Sequence, residues 1–273
     1  MLALLGGAAA TALAAVAGLV LLVVLALRPG TAQDSATTAA HPSTASTGTS
    51  AAGSGRTNVA VPGRGRARDV LAAKPMPTVD AQAARPGPVS LTPPGQIALP
   101  TATRTGPAGV PTGFPHTPQG ALAQLAAIDA AAMQSGSLAG ARAVLAGWAL
   151  PGGPTGQSWT LIRGMAALLD QAGLSGGGSP RLALVLTPLM GLIKGTSGPD
   201  FVVPCVDFEL DVTLEQTARA AVADCQRMIW TSNESGRWLI GPGREPAPAP
   251  SVWPDTDAAI TAGYADLRAA DHG

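Results

Sequence analysis

The stretch Asp200–Ile240, DFVVPCVDFELDVTLEQTARAAVADCQRMIWTSNESGRWLI, contains a strict alternation of apolar and acidic side chains. The apolar members are Val206, Phe208, Leu210 and Val212, and the acidic members are Asp207, Glu209 and Asp211. A period of two is typical of a strand with one buried face and one solvent face. We therefore predict a half-buried strand whose three acidic side chains are solvated.

A hairpin centred on Glu215 would pair residues whose numbers sum to 430. It places Asp211 opposite Arg219 and Cys205 opposite Cys225. Directly opposed Cβ atoms lie about 4.5–5.5 Å apart, slightly beyond the roughly 3.5–4.5 Å of a disulfide, and a non-hydrogen-bonded pair closes that gap. The register predicts a Cys205–Cys225 disulfide; the alternative is two buried free cysteines in a cytosolic sheet.

A second hairpin is predicted at TSNESG, centred on Glu234. It sets Trp230 against Trp238 and Met228 against Ile240. Three consecutive antiparallel strands result.

The N-terminal residues 1–28 predict a single transmembrane anchor. Met1–Leu27 has no charged side chain, and at about 1.5 Å per residue about 20 residues span a bilayer. The alternative is a signal peptide cleaved near Gly30-Thr31-Ala32. Arg28 weakly favours a cytoplasmic location for the residues on its C-terminal side. The predicted disulfide implies an oxidising compartment, so we expect a single-pass protein of the cell membrane whose C-terminal domain is extracytoplasmic.

Residues 29–116 hold 13 of the 25 prolines and 11 glycines. Such a composition predicts a disordered stalk, because it buries too little apolar area to offset chain entropy. Two alternatives remain open: short strands or docking at Val59–Val61 and Gln96–Leu99, and contact of the basic run Gly63–Arg68 with an anionic polymer or lipid.

Residues 117–273 predict a globular domain. Helical periodicity predicts helices at Pro118–Gln134, Ser137–Trp148 and Ser158–Ala172, and a last helix from Asp255 or Thr256 to about Arg268. Arg181–Ile193 predicts a strand bulged near Pro188. The order of helices, strands and helix indicates an α+β fold, with helices covering one face of a curved antiparallel sheet in a cone of the NTF2-like or cystatin-like kind.

Such a cone encloses a pocket, and the 430 register turns Asp224 and Gln226 inward among apolar neighbours. Either Asp224 lines a polar pocket with Gln226 and Trp230, or a bulge or sheet edge turns it outward; the sequence favours the second, because a buried carboxylate is costly. Trp253 and Tyr264 are the candidates for an interaction surface.

No catalytic, cofactor-binding or metal-binding set is recognisable. The histidines, His41, His116 and His272, are scattered. Two cysteines cannot form a four-ligand zinc site. Residues 117–273 carry nine Arg or Lys against fourteen Asp or Glu, whereas a nucleic-acid-binding surface needs clustered cations. We therefore expect no enzyme activity, no cofactor and no direct nucleic-acid binding.

Two stretches carry a resemblance, GFPHTPQGALAQLA at Gly113–Ala126 and PSVWPDTDAAITAGYADL at Pro250–Leu267. They resemble actinobacterial membrane-anchored proteins associated with integrative and conjugative elements. The predicted layout is similar to the inner-membrane scaffold component of conjugative type IV secretion systems, whose extracytoplasmic domain has the NTF2-like fold. The resemblance implies assembly with protein partners, including a homo-oligomer, in an envelope-spanning complex.

Three functions are hypotheses at this point: an assembly module of a DNA-transfer or secretion apparatus, a small-ligand-binding or cryptic enzymatic domain, and an envelope protein whose basic stalk contacts wall polymers. The first is favoured by the anchor, the stalk and the absence of a recognisable catalytic set.

Overall fold

A computed structural model describes residues 62–232 and 236–270. Its helices are α1 (Pro62–Ala73), α2 (Pro118–Gln134), α3 (Leu138–Trp148), α4 (Thr160–Gln171) and α5 (Asp257–Thr261). Its strands are β1 (Gln96–Leu99), β2 (Arg104–Thr105), β3 (Pro111–Thr112), β4 (Ala183–Thr196), β5 (Phe201–Thr213), β6 (Thr217–Cys225), β7 (Met228–Thr231), β8 (Arg237–Ile240) and β9 (Ala265–Ala269). The mixed α+β class is confirmed.

Within the described residues, seven strands form one curled sheet in the order β1-β9-β4-β5-β7-β8, with β6 also paired to β5. The β5–β6 register is the predicted one, and it pairs Asp211 with Arg219 and Cys205 with Cys225. In the second hairpin, Trp230 lies opposite Trp238; its turn at Glu234 lies outside the described residues. The register of β4 against β5 shifts after Pro188, as predicted for a proline that cannot donate to the ladder.

Three helices cover the face of the sheet that carries the even-numbered residues of β5. Thr117 caps α2 by accepting a hydrogen bond from the Gly120 N–H, and Pro118 occupies the first turn. Ser137 caps α3 in the same way. The core between helices and sheet includes Phe208, Leu210 and three fully buried tryptophans, Trp148, Trp159 and Trp238.

A second layer covers the opposite face of the sheet. Met76 and Val79 from the N-terminal side pack there with Val252 and Tyr264 from the C-terminal side, around Cys205 and Met190. The prediction of a disordered stalk up to residue 116 is therefore wrong for residues 62–116, whose β1 pairs in parallel with β9. The alternative that Gln96–Leu99 adds a strand is confirmed.

The end of the described chain is a short helix followed by a strand. We predicted a helix to about Arg268, but α5 ends at Thr261 and Gly263 adopts a φ of +91°. That left-handed conformation, which suits glycine, ends the helix and sends the chain into β9, which lies between β1 and β4. Within residues 62–232 and 236–270 no helix has the length and apolarity to cross a bilayer; the predicted anchor at residues 1–28 and the stalk up to residue 61 lie outside the described residues.

Candidate functional site

The predicted disulfide joins two neighbouring strands inside the molecule. Cys205 of β5 and Cys225 of β6 form the bond and are both buried. The thioether sulfur of Met76 lies 3.8 Å from Sγ of Cys205 and 3.9 Å from Sγ of Cys225. The segment that follows α1 therefore covers the disulfide from outside.

On the helix-covered face, two buried aspartates occupy the interior. Asp224 of β6 accepts hydrogen bonds from Nε2 of Gln226 at 2.9 and 3.2 Å. Asp129 of α2 is fully buried, and within the described residues neither of its carboxylate oxygens has a hydrogen-bond partner. The favoured prediction that a bulge or a sheet edge turns Asp224 outward is wrong, because the β5–β6 register is continuous and the Asp224 side chain is buried although β6 pairs only with β5 among the described strands. Asp224 and Gln226 meet in the interior instead.

Glu245 adds a third carboxylate to this acidic cluster, which we define as Asp129, Asp224 and Glu245. It accepts hydrogen bonds from the backbone N–H of Thr160 at 2.9 Å and from its hydroxyl at 2.7 Å. It therefore satisfies a free N–H at the start of α4, where the helix dipole favours negative charge.

Burial raises the pKa values of the two aspartates in the cluster. The pKa of Asp224 is raised to about 8, chiefly by burial and then by the charge of Glu245, while the Gln226 amide and the Cys225 N–H lower it. The indole N–H of Trp159 also lowers this pKa, although its geometry falls short of a hydrogen bond. Burial, followed by the charges of Asp224 and Glu245, raises the pKa of Asp129 well above its usual range. Asp224 therefore favours the neutral form in the folded protein at pH 7, and burial shifts Asp129 in the same direction.

The acidic side chains of β5 do not share one solvated face. Asp207 is fully buried under the second layer, with Oδ1 3.5 Å from the Val252 N–H, and burial raises its pKa well above the usual range. Glu209 and Asp211 are half-buried and contact Arg219 at 3.3 and 3.4 Å. The prediction of a solvated acidic face is wrong for Asp207, because residues 76–90 and 250–264 lie over its end of the strand.

The other predicted site residues occupy separate places. Trp230 stacks on His116 with ring centroids 4.4 Å apart and contacts Trp238 edge-on. His116 Nε2 lies 2.9 Å from Oδ1 of Asp200. Trp230 thus belongs to an aromatic cluster where β7 and β8 meet the start of α2, while Asp224 contacts Gln226 and Trp159.

Tyr264 is buried, and its hydroxyl donates to the Pro250 carbonyl at 3.0 Å. It therefore offers no surface to a partner. Trp253 is half-buried against Ala84 and Ala221, and its backbone N–H donates a hydrogen bond to the Ala83 carbonyl. Both residues fasten the C-terminal segment onto the sheet.

Two exposed apolar features lie elsewhere. Leu91 is fully exposed (102%) and Val89 is 71% exposed in the loop Pro86–Pro94. An open groove of about 900 Å³ runs along α1 and is lined by Arg66, Ala67, Val70, Leu71, Ala73, Lys74 and Pro75. Sequence reasoning missed both features, and it also missed Asp129, although Asp129 is the one charged residue in the alanine-rich sequence of α2.

In the part of the chain that the structure describes, no three His, Cys, Asp or Glu side chains are arranged to hold a metal ion. No protein-family model, curated protein or solved structure matches the chain.

Proposed function

We propose that the chain is a non-enzymatic, membrane-anchored module that assembles with protein partners in the cell envelope, as part of a DNA-transfer or secretion apparatus. The carrying observation is the disulfide between Cys205 and Cys225. Structural disulfides persist in oxidising compartments and are rare in the cytosol. The bond therefore supports an extracytoplasmic location for the folded domain, with the apolar Met1–Leu27 as its anchor.

The curled sheet supports the proposed role in assembly with protein partners. Helices on one face of a curled sheet support an arrangement of the NTF2-like kind, and the space beneath the helices is occupied by Phe208, Leu210 and the buried tryptophans. Three surface grooves of the described domain lie along α1, between α2 and α3, and beside the loop that follows α3. Asp224 lines none of these three grooves. The open and largely apolar groove along α1 supports contacts with other proteins, because contiguous exposed apolar surface on a domain marks interaction sites.

Thiol labelling of intact cells tests the location. The described cysteines are both in the disulfide, so a Val185→Cys variant supplies one exposed thiol, on a side chain that is 48% exposed. A membrane-impermeant maleimide should label this variant in intact cells as strongly as in permeabilised cells, while the unmodified chain stays unlabelled. Labelling only after permeabilisation would place the domain in the cytoplasm and overturn the proposal.

Deletion in a donor strain tests the assembly role. Transfer of the mobile element should fall by orders of magnitude and return when the chain is supplied in trans. Undiminished transfer would contradict a role in that apparatus. The same experiment should be repeated with a Cys205→Ala, Cys225→Ala variant supplied in trans. This variant should restore transfer poorly if the disulfide-bonded domain is the functional form.

A further inference from the structure

The loop Pro86–Pro94 presents an apolar projection that is held in place. The Ser90 N–H donates to the Asp255 carbonyl at 2.7 Å, and the Thr92 N–H donates to the Ser90 hydroxyl at 3.0 Å. Four prolines of the loop restrict its backbone further. Leu91 and Val89 are therefore presented to solvent on an ordered base, so ordering them on binding costs little entropy.

The groove along α1 has complementary properties. Its lining is largely apolar and includes Val70, which is 65% exposed. Helix α1 is itself fixed to the domain: Asp69 contacts Arg227 at 2.7 Å, and Arg68 stacks over the ring of Phe201. The groove is therefore a formed surface of the folded domain.

The charges around the two surfaces are opposite. The lining of the groove includes the cations Arg66 and Lys74. The loop is fixed to Asp255 by the Ser90 hydrogen bond. The carboxyl of Asp255 lies beside Asp266, which contacts Arg268 at 2.6 Å, and Asp257 is exposed on the same segment. These three carboxyl groups and one guanidinium leave the base of the loop with a negative formal charge. A groove with two cations thus complements a projection with a negative base, an arrangement that steers association and fixes its orientation.

We propose that the Leu91 loop of one copy of the chain docks into the α1 groove of a second copy. This inference rests on the proposed assembly function and identifies one partner as the chain itself. Because the two surfaces differ, the contact is heterologous and builds a ring or an open row of subunits. Burying one leucine should strengthen the contact at least about tenfold, so Leu91→Asp should weaken self-association by that factor.

Crosslinking between two tagged copies of the full-length chain in mild detergent tests the contact. One copy carries Leu91→Cys and the other Val70→Cys, and a short bismaleimide joins the two thiols if the surfaces meet. The matched control replaces Val70→Cys with Val185→Cys, since Val185 is also an exposed valine but lies on β4 outside both surfaces. The yield of crosslinked heterodimer is expected to be well above that of the control pair. Equal yields from the two pairs would overturn the proposal.

A charge exchange gives a second readout. Lys74→Glu in the groove copy should lower the crosslinking yield, and Asp257→Lys in the loop copy should restore it. Failure of the exchange to restore the yield would contradict the charge complementarity.

A crosslink formed within one chain of a Leu91→Cys, Val70→Cys double variant at high dilution would show that the loop fills its own groove and would also overturn the proposal. Neither result affects the maleimide labelling of Val185→Cys in cells, so the wider function is tested separately.

Discussion

Replacing Asp224 by asparagine should stabilise the protein at neutral pH. The carboxyl of Asp224 lies inside the helix-covered core with Asp129 and Glu245 as acidic neighbours, and its hydrogen-bond donors among the described residues include no cation. Asparagine has nearly the same shape, keeps an oxygen that accepts from Gln226, and never ionises. The substitution therefore removes the cost of a buried acid while it retains the packing.

The magnitude follows from proton linkage. The unfolded chain releases the Asp224 proton near pH 3.9, whereas the folded protein holds it up to a pKa of about 8. Below about pH 3.9 both states are protonated and burial carries no ionisation cost. Above it, unfolding releases a proton, so stability falls by about 1.4 kcal/mol per pH unit until about pH 8. At pH 7 the cost is on the order of 4 kcal/mol, and with Asp129 still present we expect Asp224→Asn to recover about 2–4 kcal/mol.

Urea unfolding followed by tryptophan fluorescence between pH 4 and pH 8 measures this effect. The parent chain should lose stability steadily as the pH rises, and the variant should have a shallower slope and converge with the parent near pH 4. Asp170→Asn is the matched control, because Asp170 is exposed on the last turn of α4 and its substitution should change stability by a few tenths of a kcal/mol. A variant with the parent slope, or one less stable than the parent at pH 7, would refute the reasoning.

Three further predictions concern other parts of the fold. Replacing both Cys205 and Cys225 by alanine should lower the free energy of unfolding by about 3 kcal/mol in chemical denaturation, since the cysteines are 20 residues apart; an unchanged midpoint would be inconsistent with the bond. Acetylation of Lys194, followed by mass spectrometry, should show a midpoint near pH 8, because burial and the nearby Lys74 lower the pKa of Lys194 to about 8; a midpoint above pH 10 would argue against this. Gly120→Ala should destabilise by about 1–3 kcal/mol in thermal or urea unfolding, because its Cβ would overlap the Pro115 carbonyl. Gly65→Ala, which meets no atom, is its control and should be neutral or slightly stabilising.

The sequence predicted those features that depend on local pattern. The alternation along β5 and the spacing of Cys205 and Cys225 were sufficient to set the hairpin register, because one face of the strand is buried and a slip by one residue would expose it. The start of α2 was predictable because Thr117-Pro118 supplies both a capping oxygen and a preset φ. These signals arise between residues that are close in the chain, so they can be recognised in a single sequence.

The second layer was not predictable in the same way. Met76, Val79 and Val252 cover the sheet from irregular segments, and such segments have no period that marks a buried face. Without that layer, Asp207 is expected to be solvated, and with it Asp207 is fully buried. The C-terminal strand was missed because β9 gains its stability from pairing with β1, which is about 170 residues away in sequence, whereas DTDAAITAGYADL has local helical signals as far as Gly263.

The place of β9 in the sheet also affects how the chain is made. This strand leaves the ribosome after every other strand that the structure describes, and it lies between β1 and β4. Until Ala265–Ala269 is available, β1 has no neighbour in the main sheet and the pairing between the two ends of the domain cannot form. In the proposed topology, the residues after the anchor would cross the membrane in chain order, so the domain would cross before its final sheet had formed. The sheet would then close after β9 had crossed, on the side of the membrane where the proposed oxidising compartment would maintain the Cys205–Cys225 bond.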